Sequence, residues 1–274
     1  MKKIAIIGAL GYVGKGMVKF FKDHYEIVAY DIALGDSNTT WDEINKCILA
    51  VICVPTPMKE SGECDTSIVE QVLKEIKIPT WIRSTVWPGF VEQYEKSRLI
   101  VFSPEYLGEG KYWSPYKFHD DEKECPFFIL GGSKNACQYI MDIIVPIAGP
   151  TKHYRQMSSK DAEIAKYMEN IYFAMKVTFA NEFRRACEAL GADYWTVRDG
   201  WGLDPRVDKM HTAVFPMLGG FSGKCLPKDL AGFIFACEKS GYTPKFLKQI
   251  WESNKEFNEH PINLTANYKI KHDV

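Results

Sequence analysis

Two hydrophobic periods divide the chain. Up to Gly132, short apolar runs alternate with polar, turn-rich stretches; from Ser159 onward, apolar positions recur every three or four residues. Lys3-Ile4-Ala5-Ile6-Ile7 has no polar alternation and is rich in β-branched residues, which predicts a strand buried on both faces. A glycine-rich turn, Gly8 to Gly14, leads into a helical pattern over residues 15–21, and Glu26-Ile27-Val28-Ala29-Tyr30 predicts a second strand. The polar stretch 35–40 precedes a short helix. Residues 48–54 form another buried strand, stopped by Pro55-Thr56-Pro57, where proline ends ladder pairing. A helix over about 66–76 is followed by apolar runs at 80–86 and 99–102, and Phe127–Gly132 reads as the last strand of this region. Strands alternating with helices predict an α/β fold with a mostly parallel sheet.

The second period predicts one long helix. Ser158 is placed to cap it, Asp161 and Glu163 suit its first turn, and no glycine or proline intervenes before Gly191. Ile164, Met168, Ile171, Met175, Phe179, Phe183, Cys187 and Leu190 form a helical stripe. Such a helix is roughly 45 Å long. That is long for one small domain, so a homodimer through helix 159–190 is expected. A further helix follows, starting near Pro227. The change of period divides the chain into 1–155, a Rossmann-type domain, and 156–274, a helical domain built on the long helix.

The first strand, turn, helix and second strand carry a chemical signal. Gly8, Gly11 and Gly14 fall as GxxGxxG with Tyr12 and Val13 between them, and Asp31 ends the second strand. Strand, glycine turn, helix, strand and acid make a dinucleotide-binding βαβ unit: the pyrophosphate rests on the helix N-terminus and the carboxylate meets the ribose hydroxyls. No Arg or Lys closely follows Asp31, which favours NAD over NADP. A second signal is Cys225, set in Gly219-Gly220-Phe221-Ser222-Gly223-Lys224-Cys225-Leu226-Pro227-Lys228-Asp229. A thiol just before a helix N-terminus and between lysines is favoured as thiolate. A buried structural cysteine in a Gly/Pro turn is the alternative. Lys166 and Asn170 share a face of the long helix, as a solvated edge or as a cation and amide facing an oxyanion.

Composition narrows the partners. A formal net charge of −1 gives no electrostatic case for nucleic acid or an anionic membrane. The eight cysteines include no CxxC pair, so no metal site is expected, and their use suits a reducing, cytoplasmic compartment. The N-terminal apolar run is interrupted by glycines and reads as a strand, not a signal peptide.

Taken together the motifs resemble the nucleotide-sugar 6-dehydrogenases, the UDP-glucose and GDP-mannose dehydrogenase family. The matching stretches run in family order: Gly11-Tyr12-Val13-Gly14; Val54-Pro55-Thr56-Pro57; Ser84-Thr85-Val86 with Pro88-Gly89; Pro104-Glu105-Tyr106-Leu107 with Glu109-Gly110; Lys166 through Asn170; Asp204-Pro205-Arg206; and the Cys225 to Asp229 loop. The resemblance implies NAD-dependent, four-electron oxidation of a primary alcohol to a carboxylate, with Cys225 forming a thiohemiacetal and then a thioester. It assigns Lys166 and Asn170 to the oxyanion, Thr85 and Asp229 to positioning water, and Glu109 to acid/base work near the nicotinamide. Glu105, Tyr106, Leu107, Arg206 and Gly220 are assigned to the substrate. Gly8, Gly11, Tyr12, Val13, Gly14, Asp31, Val54, Pro55, Thr56, Thr85, Glu109 and Lys228 are assigned to the cofactor. Larger members continue into a C-terminal nucleotide-sugar-binding domain, which is expected to be absent here or supplied by a separate chain. The Cys225 loop and the short stretch between Asp31 and Val54 depart from the family pattern.

Two rival readings remain. The GxxGxxG spacing and the Tyr172-xxx-Lys176 pair also suit an extended short-chain dehydrogenase or epimerase, in which Tyr172 is the base. Alternatively, the chain is a non-catalytic or partner-dependent NAD-binding dimer module.

Overall fold

The computed structural model describes residues 2–107, 121–215 and 218–259. The chain divides into two compact units. The first comprises Met1–Lys59 and Cys64–Lys166; the second comprises Glu60–Glu63 and Tyr167–Val274.

The first unit is built on a seven-stranded sheet. Its elements in chain order are β1 (Lys3–Ile7), α1 (Tyr12–Phe21), β2 (Glu26–Tyr30), α2 (Trp41–Ile44), β3 (Leu49–Ile52), α3 (Ser67–Glu75), β4 (Thr80–Ile82), β5 (Ile100–Phe102), β6 (Phe127–Gly132), α4 (Lys134–Ala148) and β7 (His153–Met157). The strand order is β2-β1-β3-β4-β5-β6-β7, parallel except where β6 meets β5. The continuous apolar runs are explained by two-sided burial. Ala5, Ile7, Ala50 and Ile52 face one core with Val69, Val72 and Leu73 of α3. Ile4, Ile6, Leu49 and Val51 face the other with Met17, Phe20 and Phe21 of α1 and Ile140 and Ile144 of α4. Alternate residues of a strand point to opposite faces, so a strand covered on both sides must be apolar throughout.

Phe127–Gly132 is not the last strand. His153–Met157 follows it and pairs in parallel with β6 along its length. This sheet-edge strand carries His, Arg and Gln, so no apolar run marks it. The strand expected over 80–86 stops at Ile82. Between β2 and β3 the chain holds only a 3-10 turn, Ile32–Ser37, and α2. Among the described residues no strand lies outside β2, and the order reverses between β1 and β3. In an open α/β sheet that reversal is where ligands bind, beyond the carboxyl ends of the strands.

Helix α5 (Ser159–Ala189) runs from the first unit into the second. Ser158 Oγ accepts the Asp161 amide at 3.1 Å, and Gly191 just beyond the helix takes φ 72°, so both expected ends are found. The second unit continues with α6 (Tyr194–Trp201), α7 (Leu226–Lys239) and α8 (Lys245–Glu259). Its core joins Tyr167, Ile171 and Ala174 of α5 to Phe221, Leu230 and Ile250. The apolar stripe on α5 is largely outside this core. Met168 is 72% exposed, Phe183 47% and Leu190 84%, whereas the buried face carries Asn170, Lys176, Thr178 and Asn181 as well as apolar residues. The described residues include no helix long and apolar enough to cross a membrane.

Candidate active site

In the first unit the glycine turn lies beyond β1. Gly8 donates to Tyr30 O at 2.8 Å and Cys53 donates to Ile7 O at 2.8 Å, binding the ends of β1, β2 and β3 together. Gly8 has φ 82°, and a Cβ there would sit 2.6 Å from Cys53 O. A Cβ on Gly14 would sit 2.0 Å from Gly8 O. Only hydrogens fit at these two positions, so backbone packs on backbone. Gly11 caps α1 without a side-chain bond, which leaves the helix amides facing outward for an anion. Asp31 accepts the Leu10 amide at 2.9 Å and the Ala33 amide at 3.0 Å, holding its carboxylate beside the turn. These residues fit a dinucleotide.

The next strand ends carry the remaining residues of this half. Ser84 Oγ donates to Val54 O at 2.7 Å, tying the Thr85 loop to the Val54-Pro55-Thr56 segment; Thr56 is buried. Lys166 Nζ donates to Glu105 O at 2.5 Å and lies 5.2 Å from the Tyr106 ring centroid. Glu105 accepts the Leu107 amide, and burial pushes its carboxyl above the usual range, with Lys166 and Arg83 opposing. Thus Lys166, Glu105, Tyr106 and Leu107 form one cluster. Glu109, with Gly108 and Gly110, lies outside the described residues.

In the second unit Cys225 is the exposed residue at the start of α7, with Pro227 in the first turn; the other described cysteines are buried or half-buried. No cysteine is in a disulfide, and no His/Cys/Asp/Glu group among the described residues could hold a metal ion. One turn into α7, Asp229 is 1% exposed. Its Oδ2 accepts from Asn170 Nδ2 at 2.5 Å and its Oδ1 from Lys228 Nζ at 2.5 Å. Asn170, Lys228, Asp229 and Cys225 therefore gather at one helix start. Arg206 is elsewhere: its side chain is 87% exposed, paired with Asp204 at 2.5 Å, and lines a groove with Tyr172, Phe179 and Trp201.

Sequence reasoning missed the support of the thiol loop. Asn254 Oδ1 accepts the Phe221 amide at 2.7 Å and Asn254 Nδ2 donates to Phe221 O at 3.0 Å; Asn258 Oδ1 accepts the Gly220 amide at 3.0 Å. A Cβ on Gly220 would sit 2.1 Å from Asn254 Oδ1, which explains the glycine. Two asparagines four apart on α8 were the available signal. In the second unit Lys176 Nζ bonds Asp208 at 2.8 Å and lies 5.5 Å from the Tyr172 ring centroid.

Residues 160–256 match the model of the UDP-glucose/GDP-mannose dehydrogenase family, central domain. The UDP-glucose 6-dehydrogenase TuaD of Bacillus subtilis is 28% identical, over 99% of this chain and 67% of that protein. The UDP-glucose 6-dehydrogenase of Rickettsia prowazekii is 30% identical, over 78% of this chain and 50% of that protein. The chain thus spans about half to two thirds of the length of these relatives. A UDP-glucose dehydrogenase structure from Pyrobaculum islandicum shares the fold with a TM-score of 0.76 at 23% identity, covering 93% of this chain and 68% of that one. Residues 160–256 thus match the central domain of the UDP-glucose/GDP-mannose dehydrogenase family, and a Rossmann-type sheet precedes them.

Proposed function

We propose that this chain oxidises the C6 primary alcohol of a nucleotide sugar resembling UDP-glucose to the carboxylate, using NAD. The observation that carries this reading is the exposed Cys225 at a helix start whose buried Asp229 holds Asn170, in a chain that also carries a dinucleotide-type glycine turn. Bound NAD supplies the acceptor for hydride.

The protein's own groups do the rest. Gly11 and the α1 amides hold the pyrophosphate, and Asp31 the ribose. After the first hydride leaves the alcohol carbon, the Cys225 sulfur bonds to the resulting aldehyde carbon. Lys166 and Asn170 stabilise the oxygen of that thiohemiacetal. Loss of a second hydride leaves a thioester, and water held by Thr85 and Asp229 cleaves the carbon–sulfur bond, releasing acid and thiolate. Glu109 moves the proton in that hydrolysis. Glu105, Tyr106 and Leu107 face the sugar. A reducing, cytoplasmic setting goes with this reading.

Incubation with UDP-glucose and excess NAD is expected to yield two NADH per acid formed. A ratio of one, or no NADH from any nucleotide sugar tried, would refute it.

The chain is also read as a homodimer through α5. Phe179, Phe183 and Trp201 are exposed, and with Tyr172 they line a groove of about 670 Å³ in the second unit. Exposed apolar patches of this kind mark association surfaces. Light scattering is expected to give twice the chain mass; the mass of a single chain at micromolar concentration would overturn the dimer.

A further inference from the structure

Glu163 lies on α5, one turn before Lys166, and is fully buried. The sequence gives it only a place in the first turns of a helix. In the structure its carboxylate faces backbone donors: Oε2 accepts the Gly89 amide at 2.5 Å and Oε1 accepts the Val91 amide at 2.9 Å. Gly89 has φ 93°, a left-handed backbone conformation that glycine adopts without strain.

These two bonds anchor the far end of the loop that carries Thr85. The near end is fixed by Ser84 Oγ on Val54 O, at 2.7 Å, and Cys64 Sγ contacts Thr85 O at 3.6 Å. The same turn of α5 carries Lys166, whose ammonium holds the Glu105 carbonyl. One helix segment therefore fixes two loops that the dehydrogenase reading needs.

We propose that Glu163 is a positioning residue that holds the Thr85 loop in its cofactor-binding shape through the Gly89 and Val91 amides. The proposal rests on the dehydrogenase reading above, but the contact itself is testable without any activity. A carboxylate offers both amides a full acceptor, whereas a protonated carboxyl or a carboxamide offers one good acceptor and turns a donor-bearing atom to the other. Burial pushes the Glu163 carboxyl up to about 8, against the pull of the two amides. Glu92 and Glu95 add to the upward push. Lys160, the cation in this neighbourhood, is bonded to Glu92 at 2.8 Å. The sign follows: below that value Glu163 is neutral and resembles glutamine; above it the carboxylate grips both amides.

Two measurements test this. The ¹H–¹⁵N resonances of Gly89 and Val91 in the wild-type chain are expected to shift together with pH, and not to do so in Glu163→Gln. Independently, the NAD dissociation constant of Glu163→Gln is expected to exceed the wild type's by about tenfold at about pH 9.5 and by under about twofold at about pH 6.5. A merely structural defect would give the same penalty at both pH values, and that result overturns the proposal. So do wild-type amides that do not titrate, a measurement that needs no folded variant. A wild-type chain with titrating amides but no NAD affinity would instead overturn the dehydrogenase reading, so the two failures are distinct.

Discussion

Replacing Cys225 by serine is expected to lower acid formation by about a thousandfold or more while leaving NAD affinity within about threefold. The asymmetry follows from where the residue sits. Cys225 is exposed at the start of α7, in the second unit, whereas the glycine turn and Asp31 belong to the first. Sulfur is intrinsically a strong nucleophile even when only a small fraction is thiolate. A serine hydroxyl in the same place stays protonated, and its oxygen is a poor nucleophile without an adjacent base. Asp229 does not fill that role: its two oxygens are engaged by Asn170 and Lys228. The variant is therefore expected to release at most the first NADH equivalent and to leave an aldehyde that hydroxylamine traps. Wild-type rates of acid formation in Cys225→Ser would remove Cys225 from the chemistry. A parallel loss of NAD affinity would show that the substitution had disturbed more than the nucleophile.

How much of this was legible in the sequence depended on local chemistry. The strands β1 and β3 were readable because two-sided burial leaves no polar residue in them, and the β1 turn because its glycines sit where a Cβ would strike backbone. The ends of α5 were readable from Ser158 and Gly191. Its burial was not, because Met168, Phe179, Phe183 and Leu190 of the apolar stripe are exposed while Ile171 and Cys187 are buried. The buried side is lined with Asn170, Lys176 and Asn181, side chains that periodicity counts as polar. β7 was missed because it is a polar edge strand. α4 was missed although Ser133 accepts the Ala136 amide at its start and Ile140 and Ile144 mark its buried face. In the candidate site, Cys225 was marked by its glycine-rich turn, Lys166 and Asn170 by their shared helix face, and Asp229 by the family resemblance alone. Their supports, Glu163, Asn254 and Asn258, were not, because each acts on backbone amides distant in sequence, and the four-residue spacing of the two asparagines does not name the loop they hold.

The same distance in sequence hides the pair with the largest expected effect on stability. Arg83 Nη2 bonds Glu122 Oε1 at 2.6 Å, with the two side chains 2% and 5% exposed. Arg83 Nε has no hydrogen-bond partner among the described residues, so Glu122 supplies the compensating charge for a guanidinium already short of one bond. The guanidinium also lies 5.1 Å from the Trp81 ring centroid, an interaction too weak to replace an ion pair. Glu122→Ala would leave that cation buried without its bonded partner, with Glu105 the remaining carboxylate that acts on it, and the expected loss is about 3–5 kcal/mol of unfolding free energy. Arg83→Met combined with Glu122→Leu removes both charges and is expected to recover most of the loss, since a buried ion pair contributes little net stability over apolar residues of similar volume. The difference between the single and double variants in urea denaturation isolates the penalty of the lone charge. A loss below about 1 kcal/mol in Glu122→Ala would mean that water reaches the guanidinium. Because Arg83 immediately precedes Ser84 and Thr85, a guanidinium that moved to find solvent would carry the Thr85 loop with it. Glu122→Ala is therefore expected to weaken NAD binding as well as the fold, whereas the double variant restores both.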